Sequence, residues 1–178
     1  MRQTVGVRFL TIVRHAKAAS PQIGQSDFDR PLTTKGRAQA EKLRVWANDP
    51  DALGAFGPTT ALVSAAYRTR ETYAVAFAGT TFVHALQTSD LIYNGRRDVS
   101  AEDLLAELAA VDPGTESLLI VGHNPTVFEL AQLLSDREIP ALAKGKYPLG
   151  AALVFQLDGH QKIESNRYRF VESFVPEV

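Results

Sequence analysis

Short runs of β-branched and apolar residues recur along the chain: RFLTIV (8–13), TALVS (60–64), TFVHAL (81–86), SLLIVG (117–122), AALVFQL (151–157) and YRFVESF (168–174). Punctuated by Gly, Pro, Asp and Ser, they predict six strands. Between them the apolar period lengthens to three and four. From Thr34 to about Asn48, Ala40, Leu43 and Ala47 lie on one face, Trp46 widens the stripe, and Thr33 or Thr34 supplies the N-cap. Ser100 and Asp103 have the spacing of a capping box, followed by Leu104, Leu108 and Val111 on one face until Pro113-Gly114 stops the helix. A third start is expected at Asn124-Pro125, with Asn as cap and Pro in the first turn, ahead of Val127, Leu130, Ala131 and Leu134. Strands alternating with helices imply an α/β layered domain around a mostly parallel sheet. The last two strands, joined by a segment containing DGHQK, are expected to pair antiparallel.

At 178 residues, 45% of them hydrophobic, the chain has the size and apolar content of a single domain, residues 1–178, without repeat, linker or low-complexity tract. Nineteen basic and twenty acidic side chains leave a formal net charge of -1 with no long block of one sign, which argues against a nucleic-acid partner. The absence of cysteine removes disulfide frameworks, thiolate zinc sites and cysteine nucleophiles together. The opening MRQTVGVRFLTIVRHA is broken by Arg2, Arg8 and Arg14, unlike a signal peptide, and no run reaches membrane-spanning length. A cytoplasmic protein with no membrane partner is the expectation.

The chemistry is expected at the strand ends, because open α/β sheets bind ligands beyond the carboxyl ends of their strands. The first predicted strand runs into Arg14-His15, the second ends at Ser64 with Arg68 one helical turn on, and SLLIVG runs into His123-Asn124-Pro125. One Arg-His pair alone is more often a surface ion pair or a satisfied polar edge. Two imidazoles and two guanidiniums converging on one rim read as an oxyanion site, since guanidinium forks match phosphate oxygens and a helix start adds its positive end. A carboxylate could satisfy such a cluster, but a dianionic phosphoryl group uses more of its donors. His84 and His160 read as structural, and Lys35, Arg37, Lys42, Arg44 and Arg70 as solvated helix-face charges paired weakly with Glu41 and Glu71. No histidine pair has helical metal-ligand spacing, and the neighbouring arginines would repel a divalent ion. Neither GxGxxG after a strand nor GxxxxGK[ST] occurs, so no nucleotide cofactor is expected by those routes.

Four motifs in order, IVRHAKA (12–18), DRPLTTKGRAQA (29–40), SAAYRTRET (64–72) and IVGHNP (120–125), resemble the histidine phosphatase superfamily, which includes the cofactor-dependent phosphoglycerate mutases. The RHAKA form with RPLT close behind is similar to its small SixA-type phosphohistidine phosphatases. The resemblance implies a three-layer phosphoglycerate mutase-like fold with helices on both faces of the sheet. It further implies His15 as the phosphorylated nucleophile, Arg14, Arg68 and His123 around the phosphoryl group, Arg30 as a further phosphate ligand, and neither metal nor other cofactor. The expected activity is a metal-independent phosphatase acting on phosphohistidine in a partner protein. Two alternatives are a phosphatase of a small phosphoester such as a sugar phosphate, and a non-catalytic module that recognises phosphate.

A nucleophilic histidine must be neutral, and with an ordinary pKa of about 6.5 the neighbouring Arg14 and Arg68 favour that state. Its second nitrogen needs an acceptor to fix the tautomer, and the sequence does not name one. The family's larger members carry a Glu that protonates the leaving oxygen. Here Asp90 is the best counterpart, with Asp98, Glu102 and Asp103 also in range, although Asp90 reads equally as a turn residue. The chain also lacks room for a long helical insert over the site, so a shallow pocket is expected.

Overall fold

The computed structural model describes residues 7–56, 59–90, 92–93, 99–111, 115–135, 137–157 and 168–177. Its strands are β1 (Phe9–Arg14), β2 (Thr59–Ser64), β3 (Val83–Ser89), β4 (Ser117–Gly122), β5 (Ala152–Leu157) and β6 (Tyr168–Phe174). They form one sheet in the order β3-β2-β4-β1-β5-β6. β1, β4, β2 and β3 pair in parallel, while β5 runs antiparallel to both β1 and β6. The antiparallel β5–β6 pair was expected, and the DGHQK segment lies outside the described residues. The antiparallel β1–β5 pair was not. It arises because the chain returns to the carboxyl end of β1 before entering β5: Gly150 N–H donates to the Arg14 carbonyl at 3.1 Å, and Val13 pairs with Ala152.

Strand alternation divides the core into two layers. Leu10, Ile12, Leu118, Ile120, Leu153 and Phe155 face α3 (Ala101–Ala109) and α4 (Thr126–Leu134), which bury Leu104, Leu108, Val127, Leu130 and Leu134 against them. Val13, Val63, Leu119, Val121 and Val154 pack on the other face with Leu43 and Ala47 of α1 (Thr34–Ala47) and with Ala76 and Phe77 at the end of α2 (Tyr67–Ala76). Strands buried on both sides carry continuous apolar runs, which is why β1 and β4 were so legible. Each such Leu, Val or Phe contributes about 1.5–3 kcal/mol on burial. β3 is the exception: an edge strand whose central residues are exposed, shifted two residues beyond the predicted start.

Thr33 caps α1 by accepting the Gly36 N–H at 3.0 Å. Glycine is required at position 36 because a Cβ there would overlap the carbonyl oxygen of Lys17. The capping box of α3 is formed in both directions between Ser100 and Asp103, each bond 3.1 Å long. Its Pro113-Gly114 stop lies outside the described residues. At α4 the expected Asn124 cap is not formed. The helix begins one residue later, a cis Asn124-Pro125 peptide precedes it, and Pro125 occupies the cap position. The first turn is instead closed by the His123 carbonyl, which accepts the Val127 N–H at 3.0 Å, so the Asn124 side chain is not used as a cap. Among the described residues no helix is long and apolar enough to cross a membrane.

Candidate functional site

Arg14 and His15 stand where β1 leaves the sheet, between neighbours that fix their backbone. Arg14 N–H donates to Ala151 at 3.1 Å and His15 N–H to Gly122 at 3.0 Å. The Arg14 guanidinium donates through Nη1 to the Tyr147 carbonyl at 2.5 Å. His15 is 8% exposed. Its Nδ1 lies 2.7 Å from the carbonyl oxygen of Ala16. Only a protonated Nδ1 can bond to a carbonyl, so the neutral ring carries its lone pair on Nε2. The Ala16 peptide is itself held, its N–H donating to Thr72 Oγ1 of α2 at 3.0 Å.

His123 follows β4 and faces His15, with ring centroids 5.0 Å apart. Its Nε2 is 2.8 Å from Ser64 Oγ at the end of β2. When Ser64 donates, the ring proton resides on Nδ1, which is buried and has no partner among the described residues. Arg68 projects from the first turn of α2 and is 5% exposed. Arg30 approaches from the short 3-10 turn Asp27–Asp29, donating through Nη1 to the Ala19 carbonyl at 2.9 Å. Arg14, His15, Lys17, Ala18, Arg30, Arg68, His123, Asn124 and Leu149 line one cavity of about 380 Å³. All five residues expected at the site therefore reach the same cavity. On two of them, Arg14 and Arg68, the Nε–H is buried without a partner among the described residues.

Burial foremost, and then the charges of Arg68, Arg14 and Arg30, lower the His15 pKa to about 3 against the opposing pull of the Ala16 hydrogen bond. His123 falls to about 2, again through burial first, followed by His15 and the three arginines. Both rings are neutral at physiological pH. Guanidiniums and neutral imidazoles are donors suited to an anion, and the three guanidiniums and Lys17 around the cavity oppose a divalent metal.

Asp90 is exposed and does not line the cavity. It lies at the end of the edge strand β3, one residue past Ser89, and Ser89 is already two strands away from β4. Asp103 is committed to the α3 capping box, Glu102 is exposed in the same turn, and Asp98 lies outside the described residues. The carboxylate that does meet the arginines is Asp27. Its Oδ1 accepts from Arg30 Nε at 2.7 Å, and its Oδ2 accepts from Arg68 Nη2 at 3.1 Å and from the Tyr93 hydroxyl at 2.9 Å. The DFDR spacing was the available signal, an i,i+3 acid–base pair on a Ser26-capped turn, but nothing local announces Arg68 or Tyr93 as partners. The helix-face charges behave largely as expected: Arg37 pairs with Glu71, and Arg70 stacks over Tyr67. His84 is exposed, with its ring against the Thr81 carbonyl, and His160 lies outside the described residues.

The profile of the histidine phosphatase superfamily (branch 1) matches residues 10–92. An uncharacterized protein of Mycobacterium tuberculosis is 30% identical over 155 residues, covering 83% of this chain and 89% of its own. Among solved structures, a candidate phosphohistidine phosphatase, SixA of Agrobacterium tumefaciens, is 28% identical with a TM-score of 0.76, covering 96% of this chain and 99% of that one. A protein histidine phosphatase SixA complexed with tungstate shares the fold at a TM-score of 0.72 and 22% identity, covering 94% of this chain and 96% of its own. With its three layers and six-stranded sheet in the phosphoglycerate mutase-like arrangement, the chain belongs to the histidine phosphatase superfamily, as a phosphatase of SixA type.

Proposed function

We propose that the protein dephosphorylates phosphohistidine in a partner protein through a covalent phosphohistidine on His15. The observation that carries this reading is the pairing of a histidine whose Nδ1–H is held by the Ala16 carbonyl with buried, unpartnered donors on Arg14, Arg68 and His123 around one cavity. The neutral ring attacks phosphorus through Nε2. As the Nε2–P bond forms the ring becomes cationic, and the Ala16 carbonyl stabilises it through Nδ1–H. The bond from phosphorus to the substrate nitrogen breaks in line, and that imidazole leaves neutral by carrying a proton on its other nitrogen. Water then attacks phosphorus and gives up a proton, the Nε2–P bond breaks, and inorganic phosphate and neutral His15 are restored. Arg14, Arg30, Arg68 and His123 hold the equatorial oxygens, where fixed donors stabilise the charge of the transition state.

The imidazole leaving group is favoured because no carboxylic acid lines the cavity among the described residues. An alkoxide needs a donated proton and a phosphoramidate nitrogen does not need one from the enzyme. The name of the Agrobacterium tumefaciens neighbour points the same way. The test is a comparison of kcat/KM for a phosphohistidine-bearing protein, an aryl phosphate and a panel of sugar phosphates. Preference for the first supports the reading. Efficient turnover of a sugar phosphate with poor turnover of phosphohistidine would replace the substrate class, and binding of phosphate without turnover of any of them would leave only a recognition module.

A further inference from the structure

Asp27 occupies an unusual position for an acid in a phosphate site. Its Oδ1 takes Arg30 through Nε at 2.7 Å and through Nη2 at 2.6 Å. Its Oδ2 takes Arg68 Nη2 and the Tyr93 hydroxyl, and its main-chain carbonyl takes Arg68 Nη1 at 2.7 Å. One residue thus joins two cations that line the cavity and come from separate segments of the chain. Tyr93 extends the junction: its ring lies 5.7 Å from the Arg68 guanidinium carbon and packs its edge against His123 at 5.6 Å between centroids. Phe28, beside Asp27, meets the same ring edge-on at 5.0 Å.

Burial raises the Asp27 pKa, but the Tyr93 hydrogen bond, Arg68 and Arg30 together outweigh it, so the carboxyl stays ionised below its ordinary value. Such a group is unsuited to donating a proton at neutral pH. It is suited to holding cations. The long side chains of Arg30 and Arg68 would otherwise sample many rotamers, and ordering them costs entropy when a ligand arrives. The contact also directs Nη1 and Nη2 of Arg68 toward Asp27, leaving its buried Nε–H unpartnered.

We infer that Asp27 is a positioning residue for phosphoryl binding: its carboxylate, steadied by Tyr93, ties Arg30 to Arg68 and presets the two guanidiniums at the separation the phosphoryl oxygens require. The inference rests on the phosphatase reading above. Its test separates the two, because simple electrostatics and positioning predict opposite signs. Removing a negative charge beside an anion site should tighten anion binding if charge alone mattered. Removing a clamp should weaken it.

Tungstate and phosphate binding by calorimetry to the wild-type chain, Asp27→Asn and Tyr93→Phe decide the matter, with thermal melts as control. Wild-type protein that binds neither oxyanion overturns the site reading itself. Given wild-type binding, positioning requires weaker binding by Asp27→Asn and a smaller weakening by Tyr93→Phe. The accompanying fall in kcat/KM for Asp27→Asn is expected to be on the order of 10²-fold, the scale of a misplaced catalytic contact. Equal or tighter oxyanion binding by Asp27→Asn overturns the clamp. So does a loss confined to alkyl phosphates with oxyanion affinity and aryl phosphate turnover intact, which would make Asp27 a proton donor. If Asp27→Asn does not melt cooperatively, the decision passes to Tyr93→Phe: unchanged oxyanion affinity in a folded Tyr93→Phe protein overturns the clamp.

Discussion

His15 Nδ1 is bound to the carbonyl oxygen of the residue that follows it, Ala16, at 2.7 Å, so the backbone next to the nucleophile selects its tautomer. The arrangement leaves Nε2 as the only ring nitrogen with a lone pair for phosphorus. A rapid alkaline quench during turnover is expected to trap phosphate on His15, stable to alkali and labile to acid, with phosphorus–nitrogen coupling that assigns it to Nε2. His15→Ala should reduce turnover to background with its melting transition retained. Phosphate on Nδ1, or on a Ser or Asp, would contradict the tautomer argument.

Neutral His15 and His123 also set a pH dependence. In the unfolded chain both titrate near about 6.5, whereas in the fold they titrate at about 3 and about 2. The unfolded state therefore binds more protons throughout that interval, and stability rises with pH across it. The contribution is complete above the unfolded value and is lost progressively as pH falls toward the folded ones. Denaturant unfolding between about pH 7 and pH 4 should show a slope that falls by up to about 1.4 kcal/mol per pH unit when His15 is replaced by Asn. For the same reason kcat/KM, corrected for ionisation of the substrate phosphoryl group, should show no loss near pH 6.5 from His15. An acid limb near that pH in the corrected wild-type profile would mean that the ring is not held neutral.

Ser64 governs His123 as Ala16 governs His15. Ser64 Oγ lies 2.8 Å from Nε2, and a hydroxyl that donates there keeps the ring proton on Nδ1. Ser64→Ala should lower kcat, but by less than the roughly 10² to 10³ expected from deleting a transition-state donor outright, which is the expectation for His123→Ala. Ser64→Thr should restore most of the rate. Identical losses in Ser64→Ala and His123→Ala would show that Ser64 contacts the reacting group directly.

What was legible follows the range of the interactions involved. β4 was predicted to the residue because burial on both faces writes itself into a local apolar run, and β6 because one face is covered and the other exposed, which writes itself as alternation. The Arg14, His15, Arg68 and His123 constellation was legible because strand ends are recognisable and the sheet topology collects them. α2 left only a faint trace: its buried face is Arg68, Thr69, Thr72 and Ala76, polar side chains spent on supporting the site rather than an apolar stripe. Asp27 and Tyr93 are 66 residues apart and meet only in the fold, so no local pattern could pair them. Asp90 was favoured for its place in the chain, and the strand order carried it to the sheet edge.

The close approach of α1 to the loop after His15 gives a stability test. A Cβ at position 36 meets backbone, the Lys17 carbonyl, which cannot rotate away. The same carbonyl accepts the Thr33 N–H at 2.9 Å, so the strain passes into the segment that carries His15 and Ala16. Gly36→Ala should cost about 1–3 kcal/mol, the range for overpacking, and should depress activity beyond what unfolding accounts for. Wild-type stability in a denaturant melt would show that the helix start yields freely.

The leaving group is the most exacting test of the substrate class. The described residues lining the cavity bring three guanidiniums, an exposed lysine, two imidazoles and an amide, and no carboxyl group. Donors of that kind stabilise charge on the phosphoryl oxygens regardless of what departs, but they offer no acid matched to an alkoxide. Rates should therefore depend steeply on the leaving group. Imidazole and aryl oxides should leave readily, and an alkyl phosphate should lag by about 10² to 10⁴, the contribution of the general acid it lacks. Exposed Asp90 should play no part, so Asp90→Asn should retain wild-type kcat/KM on every substrate. A selective loss on alkyl phosphates in Asp90→Asn would make the edge-strand carboxylate the acid after all, and would require β3 to approach the cavity during turnover. A flat dependence on leaving-group pKa in the wild-type enzyme would instead mean that a proton is delivered from another source, and the argument favouring phosphohistidine over a small phosphoester would lose its chemical basis.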